Sequence, residues 1–226
     1  MIGLGVDTST RAGSVAVLEQ ERILGELNLA SGGHHQGRLL RSIDSLLDLA
    51  GLDITKISVL AVALGPGTFT GLRVGIATVK GIALAGGIPA VGFSTLWAMA
   101  QCHRGRELPI VPLLDAGRGE VYSALFSPEE GDLRTVLVER SESPGSLVAR
   151  LPESPVLFCG DGIAVCRNLI LSTRGRKDSL EEGSCFLGAV LARLGVQKLK
   201  EGSPWSLNSL KPNYIRPPDA EITART

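Results

Sequence analysis

The chain has no surplus charge of either sign: Lys+Arg and Asp+Glu both number 23 in 226 residues. Proteins that bind nucleic acid alone usually carry a basic excess, because counterion release from phosphates dominates their affinity. The balance argues against independent RNA or DNA binding and leaves room for a share in a larger assembly. Cysteine is sparse, and Cys102, Cys159, Cys166 and Cys185 form no C-x-x-C pair. They read as reduced, mostly packing cysteines of a cytoplasmic protein. Only His34, His35 and His103 could join them, no metal-ligand spacing results, and no metal site is expected. The N-terminus MIGLGVDTST lacks the basic region, apolar core and cleavage site of a secretory signal. No apolar run approaches the ~18–20 residues that span a bilayer, so no membrane role is expected. There is no G-x-S-x-G elbow with a positioned histidine, and no cysteine has an evident base partner. The sequence therefore offers no catalytic residues.

What is present is an ordered composition, 44% hydrophobic and 20% charged, with clear punctuation. Residues 2–7, 14–18 and 23–29 read as three strands joined by tight turns. Apolar residues at 39, 40, 43, 46, 47 and 50 predict a helix over 34–50 that ends at Gly51. Residues 57–64 form a nearly continuous apolar run, as in a buried strand covered on both faces. Thr68 is placed to cap a helix reaching about Ala85, and Gly86-Gly87 ends it. A short strand over 89–93 precedes another helix starting at Ser94 or Thr95. After the polar break HRGRELP the pattern restarts. LDAGRGEVYSALF (114–126) repeats the order of VDTSTRAGSVAVL (6–18): strand, Asp, small-residue turn, Gly, strand. A third strand (135–139), a helix (146–150), a strand (156–159) and helices near 163–172 and 180–194 complete a looser copy. The expectation is an α/β protein of two lobes, 1–102 and 103–226.

Local chemistry singles out three places, each with a plain alternative. Asp7-Thr8-Ser9-Thr10 can hold phosphate or position a metal-bound water, or can close a turn on its own backbone. In a related second lobe, Asp115 would face it across a cleft. Gly160-Asp161-Gly162 can pass close to a nucleotide, or serve a tight strand-to-helix turn. His34 and His35, adjacent at a helix start, point apart and do not chelate one metal; a surface or partner contact suits them better.

The densest signal is ALGPGTFTGLRVG, residues 63–75. It fails the phosphate-loop template, because Gly71 is followed by Leu72-Arg73 rather than Lys-Ser/Thr. It fails the dinucleotide template by one residue. Placed on a helix from Thr68, Gly71, Gly75 and Thr78 form a stripe of little bulk. Gly71, Gly75 and Gly81 together weaken such a helix by roughly 2–3 kcal/mol. Close approach of another backbone, internal or from a partner protein, would offset this.

GPGTFTGLRVG (65–75) resembles the signature of the TsaB (YeaZ) family, the dimerisation subunit of bacterial tRNA threonylcarbamoyladenosine biosynthesis. DTST (7–10), the His35–Leu40 helix start, LDAGRGEVYSALF and PNYIRP (212–217) resemble further family landmarks; 128–155 offers none. The resemblance implies two actin-like ATPase (ASKHA, ribonuclease H-like) lobes, each a mixed five-stranded sheet with helices. It implies a non-catalytic partner of TsaD, which makes N6-threonylcarbamoyladenosine (t6A) at adenosine 37 of tRNA, together with the ATPase TsaE. The H-x-x-x-H metal motif of TsaD has no counterpart in Ser94–Met99. The family docks on TsaD, or on a second copy of itself, through its two N-terminal-lobe helices. Carried onto this chain, the docking residues are His35, Leu39, Ile43, Gly67, Thr68, Gly71, Leu72, Val74, Gly75, Thr78 and Val79. Asp7, Ser9, Thr10, Asp115, Gly160 and Gly162 become a vestigial nucleotide cleft. No cofactor is implied beyond a nucleotide at the partner interface, and tRNA is reached through the complex. Two rivals stand beside this: an ATPase or sugar-kinase relative with an occupied cleft, and a peptidase, a label once attached to relatives of this fold.

Overall fold

The computed structural model describes residues 1–29, 37–202 and 205–216. His34, His35 and Pro217, named above or part of the tail motif, lie outside the described residues. The chain divides into two compact units.

The first unit comprises Met1–Ala98 and Phe186–Asn213. The expected meander is there as β1 (Ile2–Asp7), β2 (Gly13–Glu19) and β3 (Arg22–Leu29), followed by helix α1 (Leu39–Leu49). Then come β4 (Val59–Gly65), α2 (Phe69–Gly86), β5 (Ala90–Ser94) and α3 (Thr95–Gln101). The sheet order is β3-β2-β1-β4-β5, with β4 and β5 parallel to β1. Alternation sorts the two faces of β1. Leu4 and Val6 join Leu39, Ile43, Leu46, Ile76 and Val79 in one core cluster under α1 and α2. Gly3 and Gly5 turn to the other face.

That face is covered by α6 (Gly188–Lys200), from far along the chain. A Cβ on Gly5 would overlap the Gly188 carbonyl oxygen, and one on Gly3 would crowd Ala192. Helix and sheet backbones thus meet with almost no side-chain layer between them, which only glycine permits. Ser14 on β2 supplies the missing cap: its Oγ accepts the Gly188 N–H at 3.0 Å and donates to Asn28 Oδ1 at 2.7 Å.

The second unit comprises Met99–Cys185 and the chain from Tyr214. Its strands are β6 (Ile110–Gly117), β7 (Glu120–Glu129), β8 (Asp132–Glu142), β9 (Leu157–Gly160) and β10 (Ser179–Glu182). Helix α4 (Pro144–Arg150) precedes β9 and α5 (Ile163–Arg174) follows it. The order β10-β9-β6-β7-β8 repeats that of the first unit, with β6–β7 in the place of β1–β2. Arg118-Gly119 and Glu130-Gly131 turn the hairpins with positive φ at both residues, the geometry that suits strand twist.

Three expectations need correction. The helix placed at 180–194 is strand β10 followed by α6; the positive φ of Gly183 separates them, and SLEE is too short to show a period. The boundary placed at 102/103 falls at 98/99, inside α3, and residues 186–213 return to the first unit. Finally, α2 is 18 residues long with mean hydropathy 1.2, which meets a minimal test for a membrane span. One face of it packs on the first unit's own core, a third of it is buried, and it carries Arg73 and Lys80.

Candidate functional site

The glycine stretch launches a helix, and it does so against the first hairpin. Thr68 holds the N-cap position with extended backbone, but its side chain makes no capping hydrogen bond, contrary to expectation. Its N–H donates instead to the Ser9 carbonyl at 2.6 Å. A Cβ on Gly67 would overlap Ser9, one on Gly71 the Thr8 carbonyl oxygen, and one on Gly75 the Thr8 hydroxyl. Thr8 Oγ1 donates to the Gly71 carbonyl at 2.7 Å. The low-bulk stripe is therefore filled by the chain's own Thr8-Ser9.

This overturns the stripe as a bare face for another protein. Gly71 and Gly75 are buried. Leu72 and Val79 are 1% and 0% exposed, and Leu39 and Ile43 only 6% and 3%. Of the expected docking residues that are described, Thr68 is exposed, while Gly67, Val74 and Thr78 are half-buried. The bare glycine of α2 is Gly81, where a Cβ would meet nothing within 4 Å. Arg73, Ala77, Gly81 and Leu84 succeed one another along the outward face, with Leu84 77% exposed. Arg73 stacks over the Phe69 ring, 3.7 Å from its centroid. On α1, Leu40 and Leu49 are also exposed. Counting helical positions outward from the buried stripe would have found this face.

Asp7, Thr8 and Ser9 are buried. The Ser9 N–H donates to Asp7 Oδ1 at 2.8 Å, and Thr10 Oγ1 donates to the Ala12 carbonyl at 3.1 Å. The turn thus closes on its own backbone, as its plain alternative held. Ser9 Oγ is buried without a hydrogen-bond partner among the described residues. Beside the turn lies a pocket lined by Asp7, Thr8, Arg11, Ser14, Arg38 and Ser42 with apolar Val15, Leu27 and Leu39. It holds about 400 Å³ of space counting its open mouth. Of that lining the sequence singled out Asp7, Thr8 and Leu39, but not Arg11, Ser14, Arg38 or Ser42.

In the second unit, the Gly117 N–H donates to Asp115 Oδ1 at 2.7 Å, and the Asp115 N–H donates to Asp161 Oδ1 at 3.3 Å. Gly160 has φ +108°. A Cβ there would overlap the Leu113 carbonyl oxygen, and one on Gly162 would crowd the Leu113–Leu114 backbone. Gly160 thus turns the chain at positive φ between β9 and α5, while Gly162, at φ −65°, is needed for its close passage beside β6. Burial raises the Asp161 carboxyl above its ordinary value, with the Asp115 charge adding to it and backbone N–H donors opposing.

One constellation was illegible in the sequence. His103, Arg106 and Glu181 form an ion-pair group beside Cys159, which lies in register with Glu181. His103 Nδ1 is 3.3 Å from Glu181 Oε2, and Arg106 Nη2 holds Glu181 Oε1 at 2.9 Å. No group of three or more His, Cys, Asp or Glu suited to a metal occurs among the described residues.

A family model described as "TsaD: tRNA N6-adenosine threonylcarbamoyltransferase" matches residues 28–223. The "tRNA threonylcarbamoyladenosine biosynthesis protein TsaB" of Bacillus subtilis is 30% identical, over 96% of this chain and 95% of its own length. The protein of that name from Haemophilus influenzae is 33% identical over 71% and 72%. Among solved structures, YeaZ from Pseudomonas aeruginosa matches with a TM-score of 0.78 at 27% identity, covering 94% of this chain and 99% of that one. Component A of the (R)-2-hydroxyglutaryl-CoA dehydratase of Acidaminococcus fermentans, at 13% identity and a TM-score of 0.53, shares the fold alone. The fold is that of the actin-like ATPases, two mixed five-stranded sheets with helices.

Proposed function

The chain belongs to the TsaB (YeaZ) family of tRNA threonylcarbamoyladenosine biosynthesis proteins, and from that premise we propose that it is a non-catalytic subunit that docks on the transferase TsaD. In this reading it acts in the cytoplasm with the ATPase TsaE, needs no cofactor of its own, and pairs with a second copy of itself when TsaD is absent. The observation that carries the reading is near full-length likeness to TsaB. The sequence of α3, TLWAMAQ, supports the non-catalytic part: it offers no histidine where the resemblance places the transferase's metal ligands.

The docking face we assign is the outward side of α2. Burying Leu84, 77% exposed, under a partner would contribute up to about 1.5–3 kcal/mol. Ala77 and the unobstructed Gly81 permit a partner backbone to come close. Gly71 and Gly75 are not part of this face, since both pack against the chain's own Thr8.

The test is co-purification of TsaD with Gly81→Arg and Leu84→Glu variants. Both are expected to fold and to lose TsaD; wild-type pairing by both would sink the assignment of this face. Reconstitution of t6A formation with TsaD and TsaE, with and without this chain, tests the role itself, and an unchanged yield would overturn it. The pocket flanked by Arg11 and Arg38 favours a second reading, an ATP-binding relative. ATP turnover by the isolated chain would establish that reading and remove the non-catalytic one.

A further inference from the structure

The pocket between the first hairpin and α1 has a lining that the docking role does not use. Its inner wall is apolar. Val15 of β2 and Leu27 of β3 are cross-strand partners, and Leu39 of α1 completes the wall. Val15 and Leu39 belong to the first unit's core cluster, and Leu27 packs against it. The rest of the lining is polar. Arg11, in the turn between β1 and β2, and Arg38, at the N-cap position of α1, are both exposed, and Ser42 is half-buried. None of these three side chains has a hydrogen-bond or ion-pair partner among the described residues. The one acid in the lining is engaged by its own turn, since Asp7 Oδ1 accepts the Ser9 N–H at 2.8 Å. Two guanidinium groups against that carboxylate leave a single positive charge. The first turn of α1 holds no acidic residue, so the dipole of that helix adds to the charge rather than offsetting it. With its open mouth counted, the space is about 400 Å³, toward the lower end for small-molecule sites.

We propose that this pocket binds a small aliphatic monocarboxylate. Arg11 and Arg38 hold the carboxylate, Ser42 Oγ donates to it, and the aliphatic body lies on Val15, Leu27 and Leu39. The guanidinium fork matches the two oxygens of a carboxylate, and one net positive charge matches one negative charge. A nucleoside triphosphate would bring several negative charges to the same place, with Asp7 opposing each of them. A wall that continues the apolar core rewards a branched hydrocarbon and gives a sugar hydroxyl nothing to bond. Free carboxylic acids and α-amino acids both present a carboxylate on a short aliphatic body, and the ammonium group is the difference between them.

The test uses the full chain, labelled with nitrogen-15, with isovalerate titrated in while the amide shifts are followed by NMR. Saturable shifts are expected at the pocket lining, with a Kd of about 0.1–2 mM, the range open to a ligand of so few atoms. Arg11→Gln and Arg38→Gln, both at exposed positions, are each expected to weaken binding about tenfold and to leave the rest of the spectrum unchanged. Acetate, which lacks the branched body, is expected to bind about tenfold more weakly, and isoamyl alcohol, which lacks the charge, is expected not to saturate. Valine is the isovalerate skeleton with an ammonium group added. Valine binding as tight as that of isovalerate assigns the pocket to amino acids, and weaker binding assigns it to plain acids. ATP is expected neither to shift these residues nor to displace isovalerate. Shifts that never saturate, an affinity indifferent to both arginine variants, or displacement by ATP at equal concentration would overturn the proposal. The last result would give the pocket to the ATP-binding reading, and none of the three bears on docking to TsaD.

Discussion

Two alanine substitutions in one helix should move stability in opposite directions. Gly81 and Gly71 both lie inside α2 and differ in what a Cβ would meet. At Gly81 nothing lies within 4 Å, so Gly81→Ala gains the propensity difference, about 0.8–1 kcal/mol. For a chain of this size that raises Tm by roughly 2–4 °C. At Gly71 the same gain is available, but the new methyl overlaps the Thr8 carbonyl oxygen. Overpacking of this kind costs about 1–3 kcal/mol or more, here against backbone rather than a flexible side chain. Pushing the hairpin turn away from α2 also stretches the 2.7 Å bond from Thr8 Oγ1 to the Gly71 carbonyl, a further ~0.5–1.5 kcal/mol. The net expectation for Gly71→Ala is a loss of about 1–3 kcal/mol. Urea and thermal unfolding of both variants beside the wild type read this directly. If Gly71→Ala is as stable as the wild type, or if the two variants shift together, Thr8 does not fill the stripe and the reasoning fails.

Two further outcomes concern charged groups of the second unit. Arg174 is bidentate on Asp178, at 2.6 and 3.1 Å, and also donates to the Pro152 and Ser154 carbonyls. With side chains 6% and 0% exposed, Arg174→Leu strands a buried carboxylate and should cost about 3–5 kcal/mol in urea unfolding; a loss under 1 kcal/mol would refute it. The Asp161 carboxyl titrates above its ordinary value in the folded chain. Its contribution is therefore fully present below the unfolded pKa and is lost as pH rises through the folded one. Asp161→Asn keeps an acceptor for the Asp115 N–H and removes the charge. It should raise Tm at pH 7, with the gain vanishing below about pH 4; a gain that grows on acidification would contradict the sign.

Element types were legible because they follow from local pattern. The alternating run of 14–18, the unbroken run of 57–64 and the leucine spacing of 39–50 each name their element without reference to anything distant. The repeat of 6–18 in 114–126 foretold two sheets of the same order, and residue spacing alone dismissed the phosphate-loop templates for 63–75. Polar SLEE, with neither period nor length, did not announce β10. What the pattern could not carry was the identity of each neighbour. A helix with one apolar face must bury it, but nothing in residues 188–200 says that the burial is on β1, some 190 positions earlier. A glycine stripe says that a backbone comes close. It has no side chain with which to say whose, and Thr8, 63 residues from Gly71, is the answer only in the folded chain. His103, Arg106 and Glu181 share no spacing rule, and their ion pairs form only in the folded chain. The sequence determined which faces had to be covered and where backbones had to approach. Tertiary structure alone decided what covers them, because desolvation and excluded volume act between surfaces in space, whatever their separation along the chain.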